Sequence, residues 1–84
     1  MSALTSMRKL NLIDSIVNLR RQINDINAAI DSGTKKWAGQ SPRLARETSA
    51  KAMLYDIAKL QDIQGADEWS ESHRRFALEA LEAD

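Results

Sequence analysis

The chain has no cysteine and a single histidine among its 84 residues. Disulfides and thiolate metal sites are therefore excluded, and one histidine is too few for a histidine-based metal centre. The three glycines are widely separated, so the sequence also lacks a glycine-rich loop that cradles phosphate. These absences predict a protein that is not an enzyme and that carries no metal or other cofactor.

The sequence has no excess charge of either sign, because twelve Lys and Arg balance twelve Asp and Glu. We therefore expect no general nucleic-acid binding. The sequence also has no long apolar run and no secretory signal, so we expect no contact with a membrane. A cytoplasmic location is the expectation. The charges are nevertheless segregated: residues 35–51 hold five cations and one acid, and residues 62–84 hold seven acids and two arginines. Such polarity favours head-to-tail contact between chains, or one basic end that faces a ligand.

What the chain does have is a ladder of branched aliphatic residues with alternating spacings of four and three. Its members are Leu12, Ile16, Leu19, Ile23, Ile26 and Ile30. This spacing is typical of a helix that lies along another helix. Two interpretations are open: the ladder is an interface with a second copy or a partner, or it packs inside the chain on the apolar stripe of residues 50–60. Leu10, Ile13 and Val17 lie to one side of the ladder and need a second neighbour.

Helix signals divide the chain into three segments, which we expect to form one helical domain. Thr5 or Ser6 is the expected N-cap of a first helix, and Gly33 follows its end. Pro42 opens the second helix, Gly65 breaks it, and Asp67 or Ser70 caps the third. The predicted helices cover about 6–31, 42–63 and 68–82. The predicted fold is all-α, a three-helix bundle built on a long antiparallel helical hairpin.

A basic cluster surrounds the connection between the first two helices. Its members are Lys35, Lys36, Trp37, Arg43 and Arg46. Lysines bind phosphate, an indole stacks on bases, and the start of a helix favours anions. The cluster therefore predicts a nucleotide or phosphate site, and the alternative is a solvated loop in which Trp37 covers the core.

Two further positions have side chains that we considered for partner binding or catalysis. Lys51, Tyr55 and Lys59 lie on the face of the second helix opposite its apolar stripe, which makes Tyr55 a candidate interface anchor. His73 follows Ser70 by three residues, but no orienting acid or oxyanion hole accompanies the pair. We therefore interpret His73 as a partly buried helix residue.

Two segments resemble known helical families. Trp37-Ala38-Gly39 resembles the W-x-G turn of the small secreted helical-hairpin proteins of type VII secretion, which implies two long helices joined at this turn in a dimer. Arg21 with the run 44–48 is similar to the helical-hairpin proteins by which some phages sequester cyclic nucleotides, which implies a ligand pocket between chains.

Because a chain this short buries only roughly 60–65% of its unfolded surface, we expect it to complete its core against another chain. The expected function is that of a small helical binding protein acting through protein–protein interaction. The expected partners are a second copy, in a homodimer or larger oligomer through the first helix, and a host protein that a phage or mobile element inhibits. The alternatives are a nucleotide-sequestering oligomer and a secreted hairpin of the W-x-G type.

Overall fold

The computed structural model describes residues 3–83 and confirms an all-α three-helix bundle. Helix α1 is Ala3–Asp31, α2 is Pro42–Gln64 and α3 is Glu68–Glu82. Helix α2 lies antiparallel to both neighbours and packs on each of them, whereas α1 and α3 touch each other much less. The bundle is elongated, with Cα extents of 47 × 21 × 14 Å.

The core lies along the inner face of α2. Ala50, Met53, Ile57 and Leu60 are buried there, as the spacing of this stripe predicts. Ile16 and Ile23 of α1 pack against them, and Ala77 and Ala80 complete the cluster from α3. The small alanines let α3 approach α2 closely, so three slim helices share one continuous interior.

Most of the predicted helix ends are confirmed. Ser41 caps α2 by accepting a hydrogen bond from the Leu44 amide at 3.1 Å, and Pro42 follows at the first helical position. Asp67 caps α3 in a reciprocal arrangement with Ser70. The start of α1 was predicted wrongly, because the helix already begins at Ala3 and Thr5 and Ser6 lie within it.

Helix α1 ends in the expected glycine motif. The Thr34 amide donates to the Ala29 carbonyl and the Gly33 amide to the Ile30 carbonyl. Gly33 has a φ of +78°, the left-handed conformation that this ending requires. The residues after it leave the helix axis and form the connection to α2.

A tight turn occupies the middle of this connection. The Trp37 and Gln40 backbones exchange two hydrogen bonds, of 2.7 and 3.0 Å, across Ala38 and Gly39. Both central residues have positive φ, +50° for Ala38 and +85° for Gly39, as in a type I′ turn. Glycine adopts this conformation freely, but alanine does so at a cost.

Candidate interaction surfaces

The aliphatic ladder of α1 belongs to the interior of the bundle. Ile16, Ile23 and Ile26 are 0% exposed, and Leu12 and Leu19 are half-buried against the core cluster. Ile30 is also partly covered. Assigning this ladder to a surface between chains was therefore wrong for the three isoleucines, which are already fully buried within the chain. The packing within the chain that was the second interpretation is the arrangement observed.

Two of the residues beside the ladder remain outside the core. Ile13 packs against the core cluster, whereas Leu10 is 64% exposed and Val17 is 37% exposed. Met7, one turn earlier than Leu10, is also exposed. Helix α1 therefore keeps an apolar outer face that no described residue covers.

The predicted anion-binding cluster is divided by the fold. Arg46 is only 6% exposed, and it donates to Asn27 Oδ1 at 2.8 Å and to the Ala83 carbonyl at 3.1 Å. Its guanidinium thus joins all three helices and supplies positive charge at the carboxyl end of α3. Including Arg46 among the ligand-binding residues was wrong, because its donors point into the bundle rather than toward the connection.

The other members of that cluster lie at the surface. Lys35, Lys36 and Arg43 are exposed and Trp37 is half-buried. Arg43 lines a shallow cleft of about 250 Å³ at the start of α2, whose other walls are Ile30, Gly33, Thr34, Ser41 and Pro42. Neither lysine nor Trp37 lines this cleft, so the structure does not gather the basic cluster around one ligand position.

The fold brings only the last part of the acidic segment beside the basic one, because Asp62, Asp67, Glu68 and Glu71 lie at the opposite end of the bundle. Residues 35–51 lie in the connection and the first half of α2, and the carboxyl end of α3 returns to the same end of the bundle beside Arg46. The ion pairs of these segments are local, Lys51 with Glu47 and Arg74 with Glu71. The expectation of head-to-tail contact between copies stays a prediction.

The outer face of α2 has the predicted arrangement. Tyr55 is 63% exposed, and the Lys59 ammonium lies 4.5 Å from the centre of its ring. Lys51 is exposed and forms a 3.0 Å ion pair with Glu47.

A cleft of about 500 Å³ between α1 and α2 begins beside this tyrosine. Lys59 is one of its walls, and the others are Arg8, Asn11, Leu12, Ser15, Asp56, Asp62 and Ile63. The Ser15 hydroxyl donates to Asp56 Oδ2 at 2.5 Å and joins the two helices at the inner end of the cleft. No sequence motif indicated this site, because its walls come from segments about forty residues apart.

A third cluster lies where α1 meets α3. The Arg20 guanidinium lies 4.3 Å from the centre of the Phe76 ring and 3.3 Å from His73 Nδ1. The His73 ring in turn packs on Trp69, with ring centres 4.2 Å apart. Burial lowers the pKa of His73, and the positive charge of Arg20 lowers it further. The Ser70 hydroxyl bonds to Asp67 rather than to this histidine.

Comparisons with protein families, with curated proteins and with solved structures each find no match. Within residues 3–83, no group of three or more acidic, histidine or cysteine side chains is placed to hold a metal ion. No helix in that part of the chain is long and apolar enough to cross a membrane.

Proposed function

We propose that the chain is a non-catalytic helical binding protein that recognises a partner protein through Tyr55 and the α1–α2 cleft. The observation that carries this proposal is an exposed tyrosine in contact with Lys59, which is itself a wall of a cleft of about 500 Å³. Tyrosine is enriched among the residues that dominate protein–protein binding energies, since its ring buries a large area and its hydroxyl forms a hydrogen bond.

The chemistry of the cleft supports a polar partner segment. Arg8 and Lys59 offer donors and positive charge, and Asp62 offers a carboxylate, above an apolar floor of Leu12 and Ile63. Ligand pockets are commonly about 300–1,000 Å³, so this cleft has room for a few side chains of a partner. A protein segment with both an acidic and a basic side chain is complementary to such walls.

A narrower form of the proposal is that the partner is a host protein and that binding inhibits it, as phage and mobile-element proteins do. Covering a functional surface needs no catalytic group, and 84 residues suffice to present one binding face. Standard protein–protein interfaces bury about 800 Å² per partner.

The test is differential capture of a partner by the immobilised full chain. Tyr55→Ala and Lys59→Glu should both lose a partner that the wild-type chain retains, with unchanged helical content and melting temperature. Leu44→Ala is the matched control, because Leu44 is an exposed apolar residue of the same helix that does not line the cleft. Retention of every captured protein by both cleft variants would refute the proposal.

The second candidate function is binding of a nucleotide or phosphate at the start of α2. Arg43 beside the cleft of about 250 Å³ is the observation that favours it. Calorimetric titration of the chain with nucleotides should then show binding, and Arg43→Ala should abolish the binding signal. A flat signal across a nucleotide panel would reject this candidate.

A further inference from the structure

The outer face of α1 carries a second ladder, distinct from the buried one. Its members recur at alternating spacings of three and four and are all exposed: Met7, Leu10, Asp14, Val17, Arg21, Asn24 and Ala28. This is the spacing of a helix that packs along another helix, and no described element of the chain covers it. The apolar members lie at both ends and at the centre, and two opposite charges separate them.

We propose that this outer ladder is a homodimer interface in which α1 packs antiparallel against α1 of a second copy, with the two-fold axis between Val17 and Asn18. The charges select both the occupant and the direction. Asp14 and Arg21 lie at equal distances from the midpoint between residues 17 and 18. In an antiparallel pair each Asp14 therefore faces Arg21 of the other copy, and two identical ion pairs form.

The parallel arrangement is unfavourable for the same residues. It would place Asp14 against Asp14 and Arg21 against Arg21 of the other copy, and like charges at such positions repel. The antiparallel arrangement also aligns the two helix dipoles favourably. Met7 then faces Ala28 of the other copy, so a long side chain meets a short one at each end of the interface.

The second copy fits this face better than an unrelated protein because the ladder is complementary to itself. A symmetric dimer requires a surface patch that is complementary to the same patch on the other copy. Opposite charges on either side of an apolar centre meet that requirement. Polar residues within such ladders fix register at a cost in affinity, so the dimer should be weak and concentration-dependent. The α1–α2 cleft lies on another side of α1 and stays open, so the inference does not depend on the proposed function.

The experiment is sedimentation equilibrium of the full chain over a range of protein concentrations up to the millimolar. Wild type should show a monomer–dimer equilibrium, and Val17→Asp should be monomeric with an unchanged helical spectrum. Leu10→Lys provides a second variant at a more exposed position, should Val17→Asp disturb folding. A wild-type monomer at every concentration, or a dimer that survives both substitutions, would overturn the proposal.

Charge exchange tests the direction of packing. Asp14→Lys and Arg21→Asp should each weaken the dimer roughly tenfold, because each turns two attractions into repulsions. An equimolar mixture of these two variants should recover the wild-type affinity as a heterodimer, since every pair across its interface is again of opposite sign. Arg75→Asp, an exposed position on α3, is the control and should change nothing. If the mixture associates no better than the single variants, the antiparallel register is refuted.

Discussion

The guanidinium of Arg46, near the start of α2, donates to the backbone carbonyl of Ala83, the residue that ends α3, at a distance of 3.1 Å. The same side chain donates to Asn27 of α1. One buried cation therefore connects all three helices at the end of the bundle where the acidic carboxyl end of α3 needs positive charge.

This relationship predicts that Arg46 matters for stability and not for ligand binding. Arg46→Ala should lower the free energy of unfolding by about 1.5–3 kcal/mol, since it removes the hydrogen bonds of a buried charged group to two helices. Arg46→Lys should recover only part of this loss, because an ammonium cannot reach two acceptors with the geometry of a guanidinium. Urea unfolding measures both changes.

Arg43 provides the matched control for that experiment. It lies three residues earlier on the same helix but is exposed. Arg43→Ala should stay within about 0.5 kcal/mol of wild type, as surface substitutions usually do. Equal effects at the two arginines would contradict the structural role assigned to Arg46.

The buried and outer ladders of α1 should differ sharply in their contributions to stability. Ile23→Ala removes a fully buried side chain from the core and should cost about 2–5 kcal/mol. Leu10→Ala removes a similar number of carbon atoms from an exposed position and should cost less than about 1 kcal/mol. Chemical denaturation at low protein concentration, where association does not contribute, checks the comparison.

The buried ladder also shows what the sequence can and cannot predict. Its spacing correctly indicated a helix lying along another helix, because the periodicity reports which side chains share a face. It could not distinguish a neighbour within the chain from one in a second copy, since both give the same pattern. Ile16 and Ile23 were therefore assigned to an interface, although α2 and α3 already cover them.

The helix ends could also be predicted from the sequence, whereas most contacts of the candidate sites could not. Local chemistry predicted the start of α2 at Pro42 and the cap of α3 at Asp67 or Ser70, because each depends on residues a few positions away. The direction of Arg46 and the bond between Ser15 and Asp56 depend on the tertiary arrangement of three helices, and no short motif encodes them. The exposure of Tyr55 was predictable only because it lies opposite a clear apolar stripe.

The turn between α1 and α2 predicts an unusual gain in stability from glycine. Ala38 holds a φ of +50°, which costs an L-amino acid about 1–2 kcal/mol. Ala38→Gly relieves that cost but adds freedom to the unfolded chain, so the net gain should be about 0.5–1 kcal/mol. Thermal and urea unfolding should agree on the sign.

Ala52 offers the same substitution with the opposite expectation. It is an exposed residue in the interior of α2, where glycine is a poor helix former. Ala52→Gly should lower the free energy of unfolding by about 1 kcal/mol. If both alanine-to-glycine changes destabilise the chain, Ala38 does not occupy the left-handed conformation in solution.

The contact between Arg20 and His73 predicts that stability depends on pH near neutrality. Burial and the arginine lower the pKa of His73 in the folded chain below the ordinary value of 6.5. The unfolded chain therefore binds a proton more readily, and the free energy of unfolding should decrease as the pH falls through 6.5 toward the folded-state pKa, then level off. His73→Phe retains a ring to pack on Trp69 and should remove this dependence, and Arg20→Gln should weaken it.

Urea unfolding between pH 7.5 and pH 5 provides the measurement, since the lowered pKa of Asp67 acts only below its ordinary value of 3.8. An identical slope of stability with pH in wild type and His73→Phe would show that His73 is not the group responsible.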